Sequence, residues 1–346
     1  MLHALFSTLP TSVCLCWFVI FALCHKTADR AKRMLTWFML VCTVLYLCHA
    51  YFFNEGEQAW VEGLWMLCSL SVYPLYFIYI KQLTSSESSV AGSLWYMIPA
   101  LMAAGCNWMG FIELSQWVHK GGFMVQVIMI YWLGTRKLNR FDRQLKEVYA
   151  DTEDTTTEPL RTLLICFVVT SVISSVFNAI GRQYFATSVW LLAIPSVLFS
   201  AMLFAVSYVG YSRKYVALQL HKDMEEGEHA EQEQKDGNEP ATADKFGPIL
   251  KRMMEEQQLY LQPDIKINEL AQQVGTCRTY LSNYLNQELG VSFSDYINRQ
   301  RIEYAKALMA QSPNLALTEV AVASGFASVT SFVRNYKKFV GKAPKE

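Results

Sequence analysis

Two clusters of side chains near the carboxyl end are of the types that handle nucleic acid. The first is Arg278, Thr279, Ser282, Asn283 and Asn286, and the second is Val329, Thr330, Ser331, Arg334 and Lys338, with Asn335 beside it. They are mostly guanidinium, amide, ammonium and hydroxyl groups, which reach phosphates and base edges in a major groove. A side chain of this kind selects a sequence only if a rigid element carries it into the groove. The positions between them supply that rigidity. Tyr280, Leu281, Tyr284 and Leu285 are spaced as the inner face of one helix, and Phe332, Val333 and Tyr336 as that of another.

Each polar helix follows a short amphipathic one that closes on glycine. INELAQQVG, Ile267 to Gly275, precedes the first, and LTEVAVASGF, Leu317 to Phe326, precedes the second. Leu270, Ala271 and Val274 form one apolar stripe, and Val320, Ala321 and Ala323 form part of the other. The glycine supplies the left-handed residue at which a helix-turn-helix bends. Asp264 or Asn268 is placed to cap the first helix, and an earlier helix is expected to begin near Pro248. The first reading helix is expected over Arg278 to Glu288 and the second over Ser328 to Phe339. A long helix, Ser294 to Ala310, joins the two units, with Phe293, Ile297, Tyr304 and Leu308 at core spacing and Arg299 and Arg301 facing outward. A rigid joint of this kind lets two reading helices enter successive major-groove turns, about 34 Å apart.

From about Phe246 to Pro344 the chain resembles the DNA-binding domain of the AraC/XylS family of bacterial transcription regulators. The residues that carry the likeness are LYLQPDIKINELAQQVG, YLSNYLNQELGVSFSDYINRQRIEYAKALM and LTEVAVASGFASVTSFVRNYKKFVGKAP. The resemblance implies a seven-helix fold with two helix-turn-helix units and sequence-specific promoter binding. It makes Arg278, Thr279, Ser282 and Asn283 first-unit contacts, and Val329, Thr330 and Arg334 second-unit contacts. Thr276-Cys277 departs from the family, which usually opens the first reading helix with a serine cap. Most members carry a soluble sensing domain at the amino terminus, and this chain does not follow them there.

Its first 210 residues are dominated by apolar runs, which the overall averages conceal: net charge 0 and mean hydropathy +0.16. Seven runs approach spanning length: Leu2–Leu23, Met34–Phe53, Leu64–Ile80, Leu94–Phe111, Gly122–Leu133, Thr162–Ile180 and Val189–Gly210. The fifth is the shortest. The first lacks a basic segment before it and reads as a retained span, not a cleaved leader. Lys and Arg crowd alternate loops, at Lys26, Arg30, Lys32, Arg33, Lys81, Arg136, Lys137, Arg140, Arg143, Lys146, Arg161, Arg213 and Lys214, while the other loops hold only Lys120 and Arg182. Positive loops stay inside, so the amino terminus is expected outside and the DNA reader in the cytoplasm. The expected location is the inner membrane.

No Asp, Glu, Lys or Arg lies well inside a span. That argues against a pump or coupled transporter, which needs intramembrane ionisable groups. Glu55, Glu57, Glu62, Asn107, Glu113, His119, Asn178 and Arg182 sit near the outer ends, and Tyr73, Tyr76 and Tyr79 repeat along the third span beside Pro74. They suit either an outward-facing ligand pocket or ordinary bundle packing. After the spans, Lys222 to Lys245 holds nine acidic residues against three basic and reads as a solvated tether over 213–245. Tyr211, Tyr215 and Leu218 lie on one helical face that could pair in a dimer. Residues 246–346 carry twelve Lys or Arg against nine Asp or Glu, a modest electrostatic pull toward DNA.

The expected fold is therefore all-α, a seven-transmembrane helix bundle (1–212), then the tether, then a DNA-binding domain (246–346). The expected function is a membrane-embedded, one-component transcription regulator controlled by a signal sensed in or across the membrane. Its expected partners are double-stranded promoter DNA, the lipid bilayer, a second copy of the chain, RNA polymerase and an unidentified signal ligand. No catalytic constellation, cofactor motif or metal-ligand spacing occurs, so neither an enzyme nor a metal or cofactor protein is expected. The alternative is a transporter or receptor-like protein whose DNA module is accessory or is released by proteolysis.

Overall fold

A computed structural model describes residues 2–24, 30–85, 90–151, 157–180, 184, 188–212, 220, 222–224 and 243–344. Among these residues the chain is helical and has no strand, apart from one isolated antiparallel bridge between Tyr149 and Lys266. It divides into two compact units, Met1–Asn139 with Thr157–Ala217, and Arg140–Thr156 with Leu218–Glu346.

The first unit is built from α1 (Leu2–Leu23), α2 (Arg30–Glu55), α3 (Ala59–Leu83), a 3-10 segment (Ala91–Met97), α4 (Ile98–Trp108), most of α5 (Ile112–Val148), α6 (Glu158–Ile180) and α7 (Val189–Ser212). Leu35, Phe38, Tyr76, Tyr79, Phe167 and Leu203 interlock at its centre. Buried hydroxyls turn back on their own helices: Thr43 donates to Met39 O at 2.7 Å, Ser71 to Leu67 O at 2.7 Å and Ser207 to Leu203 O at 2.8 Å. Surroundings without water require that economy. Outward faces stay apolar, with Leu5, Trp37, Trp117, Val169, Trp190 and Ile194 all exposed.

Among the described residues, five helices are long and apolar enough to cross a membrane: α1, α2, α3, Glu158–Phe177 of α6, and α7. The fourth and fifth expected spans do not meet that measure. The fourth run is split between the 3-10 segment and an α-helix of 11 residues. The fifth lies within a helix of 37 residues, flanked there by Lys120 on one side and Arg136 and Lys137 on the other. Tyr215, Leu218, Arg182 and most of the acidic tether lie outside the described residues.

The second unit contains the end of α5, then α8 (Ala243–Glu256), α9 (Ile267–Gln273), α10 (Arg278–Asn283), α11 (Phe293–Gln311), α12 (Leu317–Ala323) and α13 (Val329–Val340). α8 begins before the position expected for it, so that Pro248 falls inside the helix. Phe246 anchors the extra turn, buried and edge-on to Tyr284 with ring centroids 5.3 Å apart. Two cores flank α11. Ile267, Leu270, Ala271, Val274, Leu281, Leu285 and Ile297 belong to one, and Ile302, Ala305, Val320, Ala321, Phe326 and Phe332 to the other.

Candidate nucleic-acid interface

Two helix-turn-helix units stand in the second unit as the spacing predicts. Gly275 closes α9 with φ +76 and Gly325 follows α12 with φ +80, both in the left-handed region that a Cβ disfavours. At Gly325 a Cβ would also come within 2.7 Å of Leu261 O, so the second turn lies flat on the backbone of the first half.

The first unit departs from expectation at three points. Neither Asp264 nor Asn268 caps α9: the helix starts at Ile267 with Lys266 at the cap, and Asn268 Nδ2 instead donates to Asp223 O at 2.5 Å. The α-helix of the first reader ends at Asn283 and widens into a π-type turn, Tyr284–Glu288. Tyr280, placed on the inner face by its spacing, is 39% exposed beside Arg278 and Thr279. Leu281 and Leu285 carry that inner face alone, with Tyr284 half-buried. At the start of α10, Cys277 makes no side-chain cap bond, whereas Ser328 Oγ accepts from Ser331 N at 3.0 Å at the start of α13. The departure at Thr276-Cys277 thus has a local cost. Thr276 Oγ1 is buried without a hydrogen-bond partner.

Thr279, Asn283 and Asn286 are exposed, Arg278 and Ser282 half-exposed, and Asn286 Nδ2 donates to Ser282 Oγ at 3.2 Å. In the second reader Thr330 and Lys338 are exposed, and Val329 and Arg334 half-exposed. Lys338 pairs with the Asp295 carboxylate of α11. Ser331 and Asn335 were expected on the outer face, yet both are buried. Ser331 Oγ donates to Asp151 Oδ1 at 3.0 Å, and Asn335 Nδ2 donates to Ser331 O at 3.0 Å. In α12 the buried positions are Val320 and Ala321, followed by Ser324 at its C-cap, and Ala323 faces out, as the helical period beyond Ala321 requires.

Arg301 is the largest correction. Expected outside, it is the bulkiest fully buried side chain among the described residues, at 0% exposure. Its Nε donates to Tyr260 O at 2.6 Å, and its Nη2 to Gln262 O at 2.6 Å and Pro263 O at 3.2 Å. The guanidinium also stands 5.5 Å from the centre of the Phe326 ring. One cation therefore ties the joining helix to the turn before α9 and to the bend after α12. Burial pulls its pKa down to about 10, opposed by the Asp151 and Asp264 carboxylates, so it is charged at neutral pH. A fork of fixed donors is what three converging carbonyls need, and a lysine could not match it. Arg299, by contrast, is exposed as expected and lies over Phe339.

Three consecutive residues after α5 complete the second unit. The Tyr149 backbone bridges Lys266, and its hydroxyl donates to Asp223 Oδ2 at 2.5 Å. Ala150 is buried among the first core, and its carbonyl accepts from Ser294 Oγ and Asn298 Nδ2, both at 2.8 Å. Asp151 takes Ser331 of the second reader. Asp223, which composition assigned to a solvated tether, is buried and pairs with Lys266 at 3.1 Å. Sequence spacing gave no signal for these contacts, because their partners lie 43 to 180 residues away.

A family model described as a helix-turn-helix domain matches residues 270–346. An uncharacterized HTH-type transcriptional regulator of Staphylococcus aureus (strain MSSA476) is 34% identical over 89 residues, which are 26% of this chain and 12% of that protein. The uncharacterized HTH-type transcriptional regulator YtdP of Bacillus subtilis (strain 168) is 28% identical over 81 residues, 23% of this chain and 10% of its own length. The chain thus spans about an eighth or less of these relatives, and the likeness is confined to the carboxyl-terminal domain. No solved structure matches the chain. The carboxyl-terminal domain is a helix-turn-helix domain of the kind found in transcriptional regulators.

Proposed function

We propose that the chain is a membrane-embedded, one-component transcription regulator that reads promoter DNA through α10 and α13. The observation that carries this reading is the pair of glycine-bent helix-turn-helix units locked to one joining helix by Arg301. Two readers held rigidly to each other can enter adjacent turns of the groove, where one alone would bind weakly. Arg278, Thr279, Ser282, Asn283, Asn286, Val329, Thr330, Arg334 and Lys338 are the contacts we assign. Ser331 reaches DNA only if Asp151 lets it go.

Embedding in the bilayer is supported by where exposed apolar groups lie. Large exposed hydrophobic side chains run throughout the first unit, while among the described residues of the second they are Tyr280, Leu289 and Val322. A surface of that kind needs lipid. Seven crossings remain our reading. The 3-10 segment and α4 together rise about 30 Å, enough for the hydrocarbon core, and α5 is about 55 Å long. An odd number of crossings, with the asymmetry of Lys and Arg, supports an amino terminus outside and a reader in the cytoplasm at the inner membrane. Control by a membrane signal is supported by α5, which contributes residues to both compact units and leads directly to Tyr149–Asp151. Paired sites would be engaged by a dimer, with RNA polymerase as the target of activation.

The test is fluorescence anisotropy of fragments selected from the genome by the full chain in lipid nanodiscs. We expect binding that is sequence-selective and weakens as salt rises. Equal affinity for selected and random DNA would reject the reading.

A further inference from the structure

We propose that the cavity at the Glu57–Glu62 end of the first unit binds a small aromatic or branched aliphatic amine in its protonated form. This deepens the reading of a membrane-sensed signal and rests on it. The cavity holds about 530 Å³, within the range of ordinary small-molecule sites. Its lining comes from α2, α3, α5, α6 and α7, so it is a feature of the bundle and not of one helix.

The chemistry changes with depth. The body is apolar, with Leu45, Met66, Val72, Met202 and Leu203, and it is walled by rings, among them Tyr46, Trp65, Tyr73, Phe123 and Phe199. The rings brace one another: Trp65 lies 4.6 Å from His119, Tyr73 meets Phe123 edge-on at 5.3 Å, and Tyr46 stands 6.2 Å from Phe199. Such walls take flat or branched hydrocarbon, and their faces attract a cation. Polar groups also line it, among them His49, Gln116, Thr170 and Ser174. Ser69 Oγ and His119 Nε2 are 2.8 Å apart, both buried.

The rim carries the carboxylates of Glu57 and Glu62 against the single ammonium of Lys120. Because helices alternate in direction, the α2–α3 turn, the start of α5 and the end of α6 share one end of the bundle. Arg30, Lys81, Arg136 and Arg161 belong to the opposite end. The entrance is therefore the acidic end, which favours cations and repels carboxylate or phosphate ligands.

The experiment uses the full chain in nanodiscs and three probes of matched skeleton: 2-phenylethylamine, 2-phenylethanol and phenylacetate. Tryptophan fluorescence excited at long wavelength reports binding, with Trp65→Phe as the control that the signal comes from the cavity. We expect saturable binding of the amine, at least tenfold weaker binding of the alcohol, and none of the acid. Glu57→Gln with Glu62→Gln should bring amine and alcohol within threefold of each other, and the exposed Glu57→Gln alone should go part of the way. Alcohol or acid binding as tightly as the amine would overturn the assignment of charge. No saturable response to any probe would overturn the site. DNA affinity measured in the same nanodiscs separates the two readings: amine binding that leaves it unchanged keeps the site and removes the control by signal.

Discussion

Arg301→Met tests whether one buried cation holds the two DNA-reading halves together. The substitution keeps most of the side-chain volume and removes every donor. Tyr260 O sits in a buried residue and loses its 2.6 Å partner outright. Gln262 and Pro263 are exposed residues, so water can replace part of what their carbonyls lose. A stranded buried carbonyl costs about 1–3 kcal/mol, and hydrogen bonds to a charged donor are worth about 1.5–3 kcal/mol. Against this stands relief from burying the charge, which the lowered pKa of about 10 registers. The carbonyl loss outweighs the relief because three acceptors converge on one fork, and we expect a net loss of about 2 kcal/mol. Hydrogen–deuterium exchange on the full chain in nanodiscs reads it locally. Peptides covering 259–263 and 325–333 should exchange roughly 30-fold faster, with peptides of α1 to α4 unchanged. A change below threefold in both peptides would show that Arg301 does not join the halves.

Gly325→Ala puts a Cβ within 2.7 Å of Leu261 O at φ +80, and the backbone on both sides leaves little room to yield. It should cost more than about 2 kcal/mol and abolish selective DNA binding, while Gly275→Ala, with open space around it, should cost about 1 kcal/mol, both read by thermal unfolding. Arg334→Ala should weaken binding of a selected site by about 1–3 kcal/mol in anisotropy titrations, with stability unchanged. The Tyr149 hydroxyl is held above its usual pKa of 10.0, first by burial and then by its bond to Asp223. A raised value in the folded state means the protonated form is favoured there. This contribution is thus complete below pH 10, is lost as pH rises through the elevated value, and should be absent from the pH profile of Tyr149→Phe.

The helix-turn-helix units were legible because local rules govern them. A glycine at the bend, a 3.6-residue apolar period and polar outer positions occur within twenty residues of one another. The long apolar helices were legible for a similar reason where a single run is long and clean, and less so for the short fifth run, which ends just before Arg136 and Lys137. What sequence alone concealed depends on distant partners. Arg301 looks like any surface arginine until Tyr260, Gln262 and Pro263 supply three carbonyls. Ser331 occupies an outward position by period and is covered only because Asp151 arrives from 180 residues away. Asp223 reads as tether by composition, and becomes core once Lys266 and Tyr149 flank it. The cavity was half visible: Glu57, Glu62 and His119 stood out as polar groups near span ends, but nothing in their spacing placed them around one space.

The docking of Tyr149–Asp151 bears on how such a protein could be switched off or turned over. A protease cutting the acidic stretch 225–242 would separate residues that fold together, because Ala150 would remain on the amino-terminal piece. The freed fragment would keep Ser294 and Asn298 facing an empty notch, two buried donors without their shared acceptor. A fragment that keeps Tyr149–Asp151 takes two further cuts, one on each side of that strip. We therefore expect a single nick in 225–242 to weaken the second unit rather than release it intact.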